Sequence, residues 1–509
     1  ISGNQLQDTR AFYAAEAGLE KACASLRTQF EITGLPPTTM PAGTDSVNGC
    51  SVTYSTVDNG AAVQDVLKTG ALAGLHALVK TYSVTALAVG RVDEAKVRMF
   101  QTFETDFVPL FQFAVFYQND LEIAPGADMT LVGRVHSNGD MWVQSNTTLK
   151  MDSYVTSAGH FYHGRKAAGT VGSGDVQIKN TSGKYASIKL GSSDWLDASK
   201  SFWYDSSVAR WGGRVKDAAF GQPQLNVPLT NSTDPHKLIE PAAGNPDSYE
   251  NKATLKIINN SAYQLIGGTW TDVTSEMTNA GIIKFTPNEF TDGRETKVVD
   301  VMDVDLSKMY ATGNTYKPSN GVLYFSDKVG MCGDFPALRL NNGTTIGEAL
   351  TIASANPVYT VGNFNAVQKK PAAILADALT FLSGSWDDAK SALAKSNRQA
   401  SNTTINCSYL TGNVASTSTD YSGGFENLPR FLETWTGKTL NWTGSAVCLW
   451  YSEQADSPWG VNPCYDPPNR AWSYDTDLDD PANLPPEAPV VRVFQRTGWR
   501  QEDAGYSNL

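Results

Sequence analysis

The sequence predicts an α+β, mostly β protein: an N-terminal helix with a small sheet, then a parallel β-solenoid interrupted by an inserted lobe, then a loop-rich C-terminal region. Three observations predict it. A stretch near the start, Arg10 to Ala22, is built from Ala, Leu, Glu and Lys, which are strong helix formers. Further on, two stretches place an apolar residue at every sixth position. The chain of 509 residues is 18% charged, against a usual figure of about 25%, and its Gly and aromatic content suits short strands joined by turns. At roughly 100 to 200 residues per domain, the length implies several units.

The first element is the helix, assigned to residues 1–32. Between Thr9 and Phe30 the larger apolar residues are Phe12, Leu19, Leu26 and Phe30, with Ala15, Ala22 and Cys23 on the same side. That is a narrow stripe at helical spacing. Asp8 or Thr9 is placed to cap it, and no proline occurs before Pro36. Gly18 is the one weak helix former, and its missing side chain would admit a close neighbour. Taken alone, the stripe also fits an amphipathic helix lying on its own domain. Residues 33–118 hold the alternating runs "CSVTYSTV" and "TYSVTALAVG", read as strands of a small sheet that packs on the helix.

The six-residue ladder comes next. It runs through Ile123, Met129, Val135 and Met141, then after a two-residue offset through Leu149, Val155 and Phe161. It returns at Leu340, Ile346, Ile352, Val358 and Phe364. A period of six fits neither a helix nor a simple hairpin; it is the hexapeptide signature of a parallel β-solenoid. Gly, Asn and Asp between the apolar positions suit the corners. The two parts are assigned to 119–165 and 318–372. Two such short pieces need to join into one stack, because solenoid rungs are stabilised by their neighbours. A run of antiparallel hairpins is the competing account of the spacing. Residues 166–317 show no ladder and read as an inserted α/β or β-rich lobe, and 373–509 as short helices followed by a Trp- and Cys-containing region.

The segment "TRAFYAAEAGLEKACASL" resembles the part of the N-terminal helix that follows the membrane-embedded half in PilX-type minor pilins of type IV pili. The blocks "VPLFQFAVFYQNDLEIAPGADMTLVGRVHSNGDMWV", "NPVYTVGNFN", "PAAILADALTFLSGSWDD", "SGGFENLPRFLETW" and "YDPPNRAWSYD" are similar to blocks of large pilus-assembly proteins with that N-terminus. The resemblance implies a pilin-like α+β head over 33–118 and a non-enzymatic filament subunit acting in assembly, priming or tip presentation. It implies an extracellular, cell-surface pilus, with the inner membrane as the location before assembly. The hydrophobic half of the helix and its leader are expected upstream of Ile1, the sole membrane contact; Glu16 is then not the membrane-proximal glutamate of pilins. Partners implied are other pilins and minor pilins, packed through Phe12, Ala15, Leu19, Leu26 and Phe30, and a large tip adhesin. The family supplies no catalytic residues.

The sequence carries no G-x-S-x-G, no P-loop, no H-E-x-x-H and no dinucleotide fingerprint. A formal charge of −12 with no basic run argues against nucleic acid. His136, His160 and His163 fall inside the first ladder, but a spacing of three along a strand turns the last two to opposite faces. Asp475, Asp477 and Asp479, with Asp480 beside them, are spaced to wrap calcium, although the Gly and distal Glu of an EF-hand are missing; the alternative is a solvated loop, and no other cofactor is expected. Six cysteines without a C-x-x-C, namely Cys23, Cys50, Cys332, Cys407, Cys448 and Cys464, predict up to three disulfides in an oxidising compartment, with Cys23–Cys50 and Cys448–Cys464 as the local pairings; buried free thiols of a cytosolic protein are the alternative. Trp435, Trp442, Trp450, Trp459, Trp472 and Trp499 lie among loop formers able to present a binding surface, with core packing as the alternative for some of them. The rival reading is therefore a surface or secreted β-solenoid that binds or cleaves carbohydrate.

Overall fold

The computed structural model describes residues 3–90, 96–167, 171–230, 232–327, 335–417, 422–459 and 464–503. It is α+β and mostly β. The chain divides into two compact units: Ile1–Pro109 with Leu225–Thr233 and Pro489–Leu509, and Leu110–Gln224 with Asp234–Ala488.

The first unit is one helix on one antiparallel sheet. The helix, Gly3–Thr33, buries Ala11, Ala14, Ala15, Leu19, Ala22, Cys23, Leu26 and Phe30. Small residues dominate that row, so the helix axis can approach the sheet closely. Gly34 ends the helix in the left-handed conformation (φ 68°), its N–H donating to the Phe30 carbonyl at 3.0 Å. Arg492 adds hydrogen bonds to the carbonyls of Phe30 (2.8 Å) and Glu31 (3.2 Å), so a cation sits at the negative end of the helix dipole. The sheet runs in the order Gly43–Val47, Cys50–Asp58, His76–Val89, Lys96–Pro109, Val490–Asp503, with Val63–Val66 paired to His76–Val89. Its strands alternate as half-buried strands do: Val52 and Tyr54, then Tyr82, Val84, Ala86 and Ala88, then Val97, Met99 and Phe103 all belong to the core under the helix.

The second unit is a stack of parallel ladders. Leu121, Met141 and Phe161 lie side by side on Leu121–Ile123, Met141–Val143 and Phe161–His163. Met129 pairs with Leu149, and Val135 with Val155, each twenty residues on. Three intervals of six plus the offset of two make one such turn. The corners are held by carboxylates that accept from the next turn: Asp120 from the N–H of Asp140 (2.8 Å), and Asp140 from the N–H of His160 (2.8 Å). A Cβ on Gly139 would lie 2.3 Å from the Asp120 carboxylate and one on Gly159 2.4 Å from that of Asp140, which accounts for the glycine before each corner.

The two ladder segments share one sheet. A continuous row of parallel neighbours runs Leu255, Leu323, Ile352, Ile374, Tyr409, Ala446, Val115, Val135, Val155, Val215. The joining strands are Phe113–Tyr117, Ala446–Cys448 and Ser408–Thr411, which lie far apart in sequence. All the ladder residues except half-buried Met129 are buried: Ile123, Val135, Met141, Leu149, Val155, Phe161, Leu340, Ile346, Ile352, Val358 and Phe364.

Three expectations change. The stretch 166–317 does not stand apart: Asp175–Lys179, Val215–Lys216, Leu255–Ile258 and Lys297–Asp305 pair in parallel with ladder strands and lie in the same unit. Its strands are separated by irregular lengths of chain, so no period is visible. The C-terminal region holds the expected short helices, Asp388–Lys390 and Lys395–Asn397, but also a parallel ladder of its own, Thr403–Asn406, Thr439–Gly444 and Asn469–Tyr474, which buries Ile405, Leu440, Trp442 and Trp472, while Val490–Asp503 completes the first unit's sheet. The predicted disulfides are absent among the described residues: Cys23, Cys50, Cys407, Cys448 and Cys464 are buried free thiols, and Cys332 lies outside the described residues. They pack as small apolar side chains. Cys448 and Cys464 sit 3.5 Å from the carbonyls of Trp450 and Phe431, and burial raises their thiols to about 12 and about 11.

Candidate functional site

The apolar stripe assigned to subunit packing is used within the first unit. Ala15, Leu19, Leu26 and Phe30 are buried against the sheet, with Phe30 edge-on to Phe107 at 5.8 Å between ring centres. Phe12 is half-buried and meets Trp499 at 6.4 Å. The helix thus packs on its own domain, and any surface it offers is the opposite face. Gly18 explains the tight seating: a Cβ there would lie 2.7 Å from Val52 Cγ1 and 3.2 Å from Ala86 Cβ.

The free face begins where the stripe has not yet started. Gln5 to Arg10 are all exposed. Leu6 is 49% and Tyr13 56% exposed, and their spacing of seven sets them on one side of the helix. Tyr13 packs edge-on against Phe12 at 5.5 Å, and Phe12 carries the contact on to Trp499, itself 53% exposed. An aromatic run therefore extends from helix to C-terminal strand. Charge fixes its border: Arg496 binds both carboxylate oxygens of Glu20 at 2.6 Å, which holds Glu20 below its ordinary range, and Lys21 pairs with Asp45 at 2.6 Å. Leu6 and Tyr13 escape a search for the densest apolar stripe because they stand singly among polar residues; their common face, opposite Ala15 and Leu19, was the available signal.

The residues singled out for chemistry are dispersed through the second unit. His136 is buried, with Nδ1 2.8 Å from Thr156 Oγ1 and Nε2 2.9 Å from Asn138 Oδ1, and burial lowers it to about 4. His163 stacks on Trp195 at 4.0 Å and is also lowered by burial to about 4. His160 is half-exposed, 3.7 Å from Asp217. Around the acidic run, Lys369 reaches Asp475 at 2.7 and 2.8 Å and Asp477 at 2.8 Å, while Asp479 accepts from the Tyr474 hydroxyl at 2.9 Å. An ammonium stands where the carboxylates would gather a cation. Of the aromatic residues considered for binding, Trp435, Trp442, Trp450 and Trp472 are buried, so they fill the ladders rather than line a surface.

No family model matches the chain, and no curated protein matches it. Among solved structures, the crystal structure of the competence-associated pilin ComZ from Thermus thermophilus aligns over 99% of this chain and 99% of that one, with 12% identity and a TM-score of 0.30. A likeness at that level bears on neither fold nor function.

Proposed function

We propose that this chain is a non-enzymatic structural subunit of a type IV pilus-like filament, of the PilX-type minor pilin kind, presented at the cell surface. In this reading the stacked ladders are a β-solenoid, which the twenty-residue offsets support. The observation that carries the functional reading is the opening helix. One face is locked by small residues onto an antiparallel sheet, while its first turns and the Leu6–Tyr13 face remain open. A subunit that packs by its helix needs that division: a fixed side for its own head and a free side for a neighbour. The similarity of residues 9–26 to pilin helices supports the same reading.

The division also selects the variant. Replacing Leu19 or Leu26 by Asp would bury a charge in the head and unfold it, so loss of filaments would say nothing about packing. Leu6→Asp with Tyr13→Asp alters only exposed positions. The double variant is expected to keep its melting profile and to drop out of filaments recovered by sedimentation. Normal incorporation would defeat the assembly reading.

A further inference from the structure

We propose that His236, Glu240 and Glu453 form a site for a divalent transition ion of the zinc class. The three come from two places in the second unit. His236 sits on the turn Pro235–Leu238, which starts under an Asp234 cap whose carboxylate accepts from the His236 N–H at 3.1 Å. Glu240 follows four residues on. Glu453 arrives from a segment more than two hundred residues later.

The ligand atoms converge. One atom from each residue lies within 4.8 Å of the other two. His236 Nδ1 is 3.1 Å from Glu240 Oε1 and 3.7 Å from Glu453 Oε1. Tetrahedral coordination with bonds of about 2.05 Å sets ligand atoms roughly 3.3 Å apart, and the two distances bracket that value. Imidazole with two carboxylates is a donor set for zinc or manganese rather than for calcium, which takes oxygen alone.

The independent observation is what stands behind the ring. His236 is 4% exposed, with its Nε2 3.5 Å from Asp377 Oδ1. Asp377 is itself fully buried, and it is fixed by the N–H groups of Glu453 (2.6 Å), Gln454 (3.2 Å) and Ala455 (3.0 Å). A carboxylate behind one ring nitrogen is the arrangement that commonly backs histidine ligands, and here it stands just beyond hydrogen-bond reach of a buried Nε2 that has no other partner among the described residues. Trp450 packs edge-on to the imidazole at 5.4 Å and limits its rotation. The loop carrying Glu453 is tied to the same Asp377, so ligand and supporting group are placed by one set of bonds. Glu453 has an open side, with its side chain 62% exposed, which gives an ion a way in.

The competing account is an imidazolium bridging carboxylates with no metal, Lys237 already being paired with the second oxygen of Glu240 at 2.5 Å. Calorimetry on the full chain, stripped with EDTA and titrated with zinc chloride, separates the two. Saturable binding at one ion per chain is expected, with Co(II) giving a visible d–d spectrum at the same stoichiometry. Glu453→Gln, at an exposed position, should fold normally and weaken zinc at least tenfold; Glu240→Gln should do the same, and Asp377→Asn should weaken it by about 10–100-fold. Absence of zinc heat, or binding unchanged in Glu453→Gln and Glu240→Gln, would overturn the site. The second pattern would place the ion elsewhere, for example on a free thiol.

Discussion

Gly18 is where the seating of the helix can be measured. In a helix interior, Gly→Ala normally gains about 1 kcal/mol in propensity. Here the added Cβ would stand 2.7 Å from Val52 Cγ1 and 3.2 Å from Ala86 Cβ. Val52 is β-branched on a strand, so it cannot swing aside without leaving its χ1 well, at about 0.5–1.5 kcal/mol; lifting the helix instead is overpacking, at about 1–3 kcal/mol. The two effects oppose, and Gly18→Ala alone should come out between neutral and about 2 kcal/mol destabilising. In a Val52→Ala background the closest clash is gone and only the 3.2 Å approach to Ala86 Cβ opposes propensity, so the same substitution should stabilise, by up to about 1 kcal/mol. The sign reversal is the prediction, a coupling of about 1–3 kcal/mol of the kind contacting residues show. Because the chain has two units, denaturation of the whole is a poor gauge. Hydrogen exchange of the helix amides from Ala14 to Leu26 reads the contact locally, with about 1.4 kcal/mol corresponding to tenfold in protection. Equal slowing of exchange by Gly18→Ala in both backgrounds would refute the close-packing argument.

Asp106 is buried, and burial, with the neighbouring Glu104 charge, raises its carboxyl from 3.8 to about 7, against an opposing hydrogen bond from Gln495 at 2.6 Å. The folded state thus keeps a proton that the unfolded chain releases, so this group's contribution is full below about pH 4 and is lost as pH rises through 7. Asp106→Asn should raise the melting point at pH 8 and leave it unchanged at pH 4; equal effects at both would contradict the assignment. Arg430 and Glu295 form a buried pair at 2.6 Å, so Arg430→Ala should cost about 3–5 kcal/mol in urea unfolding of the second unit by stranding Glu295. Replacing both by Met should recover most of that. For the acidic run, Lys369 already neutralises Asp475 and Asp477, and calcium added to EDTA-treated protein should give neither heat at that cluster nor a rise in melting temperature. Lys369→Met is the variant in which calcium heat should emerge.

What the sequence disclosed depended on whether a structural period was uninterrupted. From Ile123 to Phe161 each turn of the stack spends the same twenty residues, so the six-residue spacing survives into the sequence and the inward row can be read directly. Elsewhere in the parallel sheets Val155 pairs with Val215 and Leu255 with Leu323, but the chain between neighbours varies in length, and the period vanishes while the pairing persists. In the C-terminal part, Trp435, Trp442 and Trp472 fill the interior, and large aromatics among Gly, Ser and Asn imitate a binding loop. Strand Val490–Asp503 was hidden for another reason: at a sheet edge, with long Arg and Gln side chains only partly covered, it shows little alternation.

The helix illustrates a different limit. Its spacing identifies a buried face without saying what buries it, since a stripe facing a sheet and one facing another chain obey the same period. Residue size carries the missing information. Ala11, Ala14, Ala15, Gly18 and Ala22 are too small to anchor a neighbour by themselves, and they suit a surface already studded with Val52, Tyr54 and Val84. A partner helix would be met by residues that project, and the large apolar residues of this helix that project into solvent are Leu6, Tyr13 and, in its last turn, Ile32; only Leu6 and Tyr13 share a face seven residues apart. The proposed assembly contact therefore moves to the other side of the same helix, and it is at Leu6 and Tyr13 that it can be tested apart from head stability.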